Sequence, residues 1–323
     1  MPPVTVIATV LNEAEDIGRL VPSLLAQAPP PAEVIVVDGG STDGTWQWLL
    51  EAQANHPALR PIRDESCNLK HSPGPISRGR NVAIAAASSE IIACADAGCT
   101  YAPDWLARLT APLIDSSAEY ALGGSCLDPA DPSIWDLASA HFFGVRLDPA
   151  APTKSCTARS MAFTKELWQR IGGFPETVFF GEDTLFDLEA RRLAPPAFVE
   201  CAKALYRPQY TFRTACRQLG AYAVSDGILG VRRKRFVRNA ARCGSQILAL
   251  ASIPWTVFPL LAVLALELWF AYQADGRTLA RYGPRVLATR FLFSVFVPWI
   301  VAVNRIRGSL TGKNLLNRQN LRH

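Results

Sequence analysis

Apolar and polar residues change their spacing several times along the chain, and each change marks an element. Residues 4–11, VTVIATVL, form a short β-branched run that reads as a buried strand. The following NEAEDIGRLVPSLLAQ places Ile17, Leu20, Val21, Leu24 and Leu25 at helical spacing. A second strand-like run, 34–37, ends in Asp38 before a glycine-rich turn, and TWQWLLEAQAN reads as the next helix. Residues 60–63 give a short third strand. SRGRNVAIAAAS reads as a helix opened by Arg80 and Asn81, and EIIACADAG as a strand ending at Asp96. Strands alternating with helices predict an α/β domain with a parallel, doubly wound sheet. Ligands of such sheets bind beyond the carboxyl ends of strands, where Asp38 and Asp96 both fall.

The next stretch is less regular. GGSCLDPADPSIWDLASAHFFG reads as strand, turn and helix, and SCTARSMAFTKELWQRIGGFPE as a strand and a short helix closed by Gly172-Gly173. GEDTLFDLEARR opens a helix with two adjacent acids, Glu182 and Asp183, and a strand follows around AFVECAKALYRP. Capping alone accounts for acids at a helix start. Asp183 is a good N-cap residue, and the helix dipole favours each acid there by about 0.3–1 kcal/mol.

From about residue 246 the pattern becomes almost continuously apolar. The run 247–272 has Glu267 as its only charge, and 286–303 is broken only by Arg290. Each approaches the ~20 residues needed to span a bilayer, with Pro254, Pro259 and Pro298 expected to kink the helices. A two-helix membrane hairpin over 246–304 is the first reading; a monotopic hairpin in one leaflet and an ordinary buried core are the others. The layout is thus a catalytic-type α/β domain at 1–225, a basic segment at 226–245, the hairpin at 246–304 and a basic tail at 305–323.

Composition sharpens this picture in three places. The chain has 323 residues, 49% of them hydrophobic, with a formal net charge of +5. The positive charge is local: Arg232, Arg233, Lys234, Arg235, Arg238 and Arg242 form one run, and Arg305, Arg307, Lys313, Arg318 and Arg322 another. Because these runs flank apolar segments, they suit anionic lipid headgroups better than nucleic acid. Arg277, Arg281 and Arg285 in the connector soften the charge contrast, but both hairpin ends read as cytoplasmic. The eight cysteines (67, 94, 99, 126, 156, 201, 216 and 243) form no CxxC pair, which argues against zinc and for reduced thiols. MPPVTVIATV lacks the basic n-region of a signal peptide, so the α/β domain is expected on the cytoplasmic side of the inner membrane.

Taken in order, these motifs resemble the family 2 glycosyltransferases with the GT-A nucleotide-sugar fold, over residues 4–235. VIATVLNEAEDI resembles the opening strand, EVIVVDGGSTDGT the nucleotide-binding turn, GRNVAIAAASSEIIACADAGCTYAPDWL the metal-motif segment, TARSMAFTKELWQRIGGFPE the acceptor-side segment, and GEDTLFDLEARR the catalytic-base motif. The basic stretch followed by apolar runs is similar to membrane-associated bacterial members that build exopolysaccharides or glycolipids. The resemblance implies an inverting transfer of one sugar from a nucleotide donor, a UDP-sugar by expectation, to a lipid-linked or glycan hydroxyl. Asp183 would be the general base and Glu182 its neighbour on the acceptor. Asn12, Glu13, Asp38, Arg80, Asn81 and Asp96 would hold the donor, and Asp96 would carry Mg²⁺ or Mn²⁺. Arg159, Arg213 and Arg217 are candidates for the acceptor side.

Two positions depart from the family pattern. The metal motif reads Asp96-Ala97-Gly98, without its second carboxylate, and Gly39 stands where many members have Asp. The Gln-x-x-Arg-Trp motif of processive synthases is not evident, which favours single-sugar transfer. Two other readings stay open at this point: transfer to a polyprenyl phosphate, and a non-catalytic membrane scaffold that binds nucleotide sugars.

Overall fold

A computed structural model describes residues 2–130, 132–148 and 157–320, with 273–280 and 313–320 described at the backbone only. Cys156, Arg322 and the side chains of Arg277, Lys313 and Arg318 lie outside the described residues. In chain order the elements are β1 (Val4–Val10), α1 (Ile17–Leu25), β2 (Glu33–Asp38), α2 (Thr45–Asn55), β3 (Leu59–Arg63), α3 (Pro75–Ala86), β4 (Ile91–Cys94), β5 (Cys99–Tyr101), α4 (Trp105–Ile114), β6 (Tyr120–Leu127), α5 (Ile134–Ser139), β7 (Met161–Thr164), α6 (Lys165–Ile171), α7 (Glu182–Leu193), β8 (Ala197–Tyr206), α8 (Phe212–Ile228), α9 (Arg233–Ala251), α10 (Phe258–Ala280) and α11 (Pro284–Asn320). The chain divides into two units. Met1–Asp128 with Asp148–Arg207 forms the first, and Pro129–Leu147 with Pro208–His323 forms the second. Residues 208–225, assigned by their sequence to the α/β domain, thus pack within the second unit.

The first unit is built on one sheet of order β3-β2-β1-β4-β7-β6-β8-β5. Strands β3, β2, β1 and β4 are parallel, as the alternation of strands and helices predicts. The other half corrects that prediction: β7 runs antiparallel to both β4 and β6, and β5 antiparallel to β8. Successive β1 residues feed opposite cores. Val4, Val6, Ala8 and Val10 pack with α1, α2 and α4, while Ile7 packs with α3, α6 and α7. Burial on both faces explains why these strands read as continuous apolar runs rather than alternating ones. The close seating of α3 on β1 depends on Gly79, where a Cβ would meet the Thr9 methyl at 2.6 Å.

The second unit is helical. Ala138, Tyr210, Ala215, Leu219, Ala223, Phe293, Val297 and Val301 form its core, drawn from α5, α8 and α11. The contact between α8 and α11 uses small residues. A Cβ on Gly227 would strike the Arg305 carbonyl, and one on Gly308 the Val224 carbonyl. The run 247–272, read from sequence as one helix, is two. α9 ends at Ala251, a turn follows, and α10 begins at Phe258. Pro254 lies in the turn and Pro259 in the first turn of α10, where its missing N–H costs nothing; only Pro298 sits inside a helix. Among the described residues, one helix, Pro284–Gly312, is long and apolar enough to cross a membrane, and the apolar part of α10, Phe258–Tyr272, is shorter. All seven described cysteines are free thiols.

Gly308→Ala should lower stability by about 1–3 kcal/mol, because the α8 backbone blocks the added methyl. Gly244→Ala on α9, with open space around it, should raise stability by about 0.5–1 kcal/mol through helix entropy. Thermal unfolding of both variants in one detergent checks the contrast.

Candidate active site

The parallel strands deliver their carboxyl ends to one edge. Val10 of β1 pairs with Asp38 of β2, and the β1–β2 connections lock together just beyond them. Asp38 is fully buried. Its Oδ1 accepts from the N–H groups of Gly40 (2.6 Å) and Ser41 (2.7 Å), while its Oδ2 has no partner among the described residues. Asn12, held at φ +57°, accepts at Oδ1 from the Thr42 N–H (2.9 Å). Its own N–H donates to Ser41 Oγ (2.8 Å). Asp43 accepts from the N–H groups of Ala14 and Thr45 and from the Thr45 hydroxyl, so its carboxylate serves the turn backbone. Glu13 lies beside Asp43 and Asp16. Burial, reinforced by those two charges, pushes its carboxyl up to about 7.

The second cluster joins α3, the end of β4 and the start of α7. Arg80 corrects the sequence expectation in one respect. It lies in the second turn of α3 rather than at its opening, and its side chain is buried. Its guanidinium donates to Asp96 Oδ1 (2.8 Å) and to Glu182 Oε1 (2.9 Å), and it stacks over Phe174. Burial works against this charge, but Asp96 and Glu182 more than offset it and raise the guanidinium pKa. Asp96 is held from behind. The Tyr101 hydroxyl accepts from the Asp96 N–H (3.1 Å) and donates to the Arg159 carbonyl (2.9 Å). Arg159 itself stacks over Tyr206. Nothing in the sequence marks Tyr101 beyond an aromatic residue in a short strand.

Asp183 is not a helix cap. Gly181, at φ +84°, occupies that position, and Asp183 is the second residue of α7. Its Oδ1 accepts from the Thr184 N–H (2.6 Å). Burial raises its pKa; Arg80 and Arg159 pull it back, and Asp96 pushes it further up. Glu182 is raised as well, by burial and by the Asp183 charge beside it. Arg80, Asp96, Arg159, Glu182 and Asp183 therefore form one electrostatic cluster.

The remaining candidates are placed elsewhere. Asn81 faces a groove lined by Arg78, Trp168, Gln169 and Glu176. Its amide donates to the Phe174 carbonyl and Glu176 Oε1 and accepts from Trp168 Nε1 and the Phe174 N–H, so the amide is fully committed. Arg213 and Arg217 are exposed on α8 in the second unit. There Asp226 pairs with Arg232, and Tyr222 accepts from Gln218. Among the described residues, no group of three or more His, Cys, Asp or Glu is arranged to hold a metal.

Arg80→Met strands Glu182 and Asp96 without their shared cation, and should cost about 3–5 kcal/mol at pH 8. Glu182 takes up a proton above the ordinary carboxylate range as pH falls, because burial and the Asp183 charge favour its neutral form. The loss should therefore shrink toward pH 5, as denaturant titrations at the two pH values would read directly.

Comparison with known proteins bears on the family and the fold. The profile of glycosyl transferase family 2 matches residues 5–172. Glycosyltransferase AglE of Haloferax volcanii is 26% identical over 193 residues, 57% of this chain and 59% of AglE. Succinoglycan biosynthesis protein ExoU of Rhizobium meliloti is 30% identical over 213 residues, 59% of this chain and 57% of ExoU. The chain thus spans less than two thirds of the length of these relatives. Among solved structures, the mannosyltransferase PcManGT from Pyrobaculum calidifontis, in complex with GDP-Man and Mn²⁺, aligns with a TM-score of 0.56 at 23% identity. The alignment covers 94% of this chain and 87% of that one, and it is a likeness of fold. With the profile running from β1 through α6, more than half of the chain, this protein belongs to glycosyl transferase family 2.

Proposed function

We propose that this protein transfers a single sugar from a nucleotide-sugar donor, a UDP-sugar on the sequence reading, to a hydroxyl of a lipid-linked or glycan acceptor at the cytoplasmic face of a membrane. The observation that carries this reading is Asp183. Its carboxylate is released from capping by Gly181, sits in a cluster with Asp96, Arg80 and Arg159, and has a raised pKa. A raised carboxylate is a better proton acceptor at neutral pH than an ordinary aspartate. Asp183 takes the acceptor hydroxyl proton as the oxygen attacks the anomeric carbon from the face opposite the diphosphate. The bond from that carbon to the phosphate oxygen breaks, and the nucleoside diphosphate leaves with the electron pair. The product is an inverted glycoside.

Donor binding is assigned to the β1–β2 edge. The unpartnered, buried Oδ2 of Asp38 supports a hydrogen bond from a base or ribose group, since an unmade bond there is costly. Asn12 and Glu13 would border the same site. Arg80 acts through the carboxylates it holds, because both of its terminal nitrogens are engaged.

Asp96 suits Mg²⁺ or Mn²⁺ in part. It offers a hard oxygen at a half-open position, but one oxygen is paired with Arg80, and among the described residues no group of three or more His, Cys, Asp or Glu is arranged to hold a metal. Such a site fits a cation whose remaining ligands come from the donor diphosphate and water. When bound there, a divalent cation supplies Lewis-acid stabilisation of the departing diphosphate.

A donor screen tests the function. Full-length protein in detergent, with Mg²⁺ or Mn²⁺ and a membrane lipid extract, should release nucleoside diphosphate from one sugar donor. Asp183→Asn should lower turnover at least ~100-fold while leaving nucleotide affinity within about threefold. The rate should fall as pH drops through the raised Asp183 pKa, and a loss of only a few-fold in Asp183→Asn would favour a polyprenyl-phosphate acceptor. Nucleotide binding with no release from any donor would return the scaffold reading.

Metal use has its own readout. Mn²⁺ binding followed by electron paramagnetic resonance should be weak for the free protein and tighten at least ~10-fold with UDP or GDP. Asp96→Asn should remove that enhancement.

A further inference from the structure

The α9–α10 region of the second unit reverses the pattern expected of a soluble helix pair. Along α10 as far as Tyr272, the buried positions are Glu267 and Ala271, while Leu261, Leu264, Leu266, Leu268, Trp269 and Phe270 are exposed. Glu267 is taken up inside the unit. Arg242 of α9 ion-pairs with it, Gln246 donates to its Oε1 (3.0 Å), and Ser294 of α11 donates to its Oε2 (3.0 Å). The polar side chain faces the protein and the apolar ones face outward. An outward apolar surface of this extent calls for a nonpolar surrounding.

Three further observations say which surrounding, and how deep. First, residues 243–266 contain no charged residue, and this stretch includes the turn between the helices. The turn and the helix ends beside it expose large apolar side chains: Trp255 is 83% exposed, Phe258 76% and Leu248 73%. Second, most of the N–H groups there bond locally. Those of Ser252, Ile253, Trp255, Thr256 and Phe258 do so, and Pro254 and Pro259 have none. Irregular backbone enters lipid at least cost when its polar groups are satisfied in this way. Third, charge collects at the opposite end. Arg242 and Gln246 both reach Glu267, which makes the two helices antiparallel about the turn. Exposed Arg233, Lys234 and Arg238 on α9 thus lie on the same side as exposed Arg281 and Arg285 beyond α10.

We propose that the α9–α10 hairpin inserts tip-first into one leaflet of a lipid bilayer, with its basic base on anionic headgroups. From Phe258 to Glu267 the helix rises about 14 Å, close to half of a ~30 Å hydrocarbon core. The apolar part of α10, Phe258–Tyr272, falls short of the ~20 residues of a full span. This inference rests on the membrane attachment proposed above and adds its depth and its element.

The test uses the full chain with Trp255→dansylalanine, reconstituted in sealed vesicles of phosphatidylcholine and phosphatidylglycerol. Lipids brominated along the acyl chain should quench the label, and iodide should quench it neither from outside nor from the lumen. Quenching by lumenal iodide would mean a spanning hairpin and would overturn the one-leaflet insertion while leaving attachment intact. A chain that floats with the vesicles but is not quenched by brominated lipid would overturn the hairpin as the inserted element. A chain that does not float would overturn both readings. In a second arm, Leu250→Lys with Phe258→Lys should weaken vesicle binding about 100-fold. Arg233→Gln, Lys234→Gln and Arg238→Gln together should remove the preference for phosphatidylglycerol over pure phosphatidylcholine. Unchanged binding in the first variant would likewise overturn the insertion.

Discussion

One guanidinium holds the first unit's chemistry together. Arg80 reaches Asp96 at the end of β4 and Glu182 at the start of α7, two acids far apart in sequence. Without it, burial and the Asp183 charge beside it would drive a proton onto Glu182 rather than off it. The planar fork matters as much as the charge, because two nitrogens address two separate acids. A lysine would offer one point charge to both. The two carboxylates are thereby fixed relative to each other, and Asp183 inherits its position from Glu182 next to it.

Much of this was legible in the chain because its signals are local. Apolar runs gave the parallel strands, and the acids at their ends marked the edge where ligands bind. The motifs around Asp38, Asp96 and Asp183 are short, so their spacing survives as sequence order. The mixed half of the sheet was not legible, because nothing in the short runs that become β5, β7 and β8 encodes strand direction. The burial of Arg80 was not legible either. Helical periodicity places it on a face, but that the face meets Glu182 depends on a residue about a hundred positions away. Asn81 followed it by adjacency, although the next residue on a helix points about 100° away and here finds Trp168 and Glu176.

The second unit follows other rules. α8 and α11 approach until glycines meet backbone, and this close van der Waals fit adds to the burial of Leu219, Phe293, Val297 and Val301 between them. Composition alone read the apolar run as one helix, because two prolines and a serine do not announce a turn when every neighbour is apolar. The distinction came from where the polar residues face, which only packing decides.

The arrangement around Glu267 also sets an order of events during synthesis. Arg242 and Gln246 precede it in the chain, so α9 and α10 can pair as soon as α10 is made. Ser294, which closes the group from α11, comes 27 residues later. At ribosomal speeds of about 5–20 residues per second, the hairpin exists for one to several seconds before its third wall arrives. During that interval the nascent chain presents a charge-free loop and an incompletely sheltered ion pair. Elongation rate then sets how long that loop waits for its third wall.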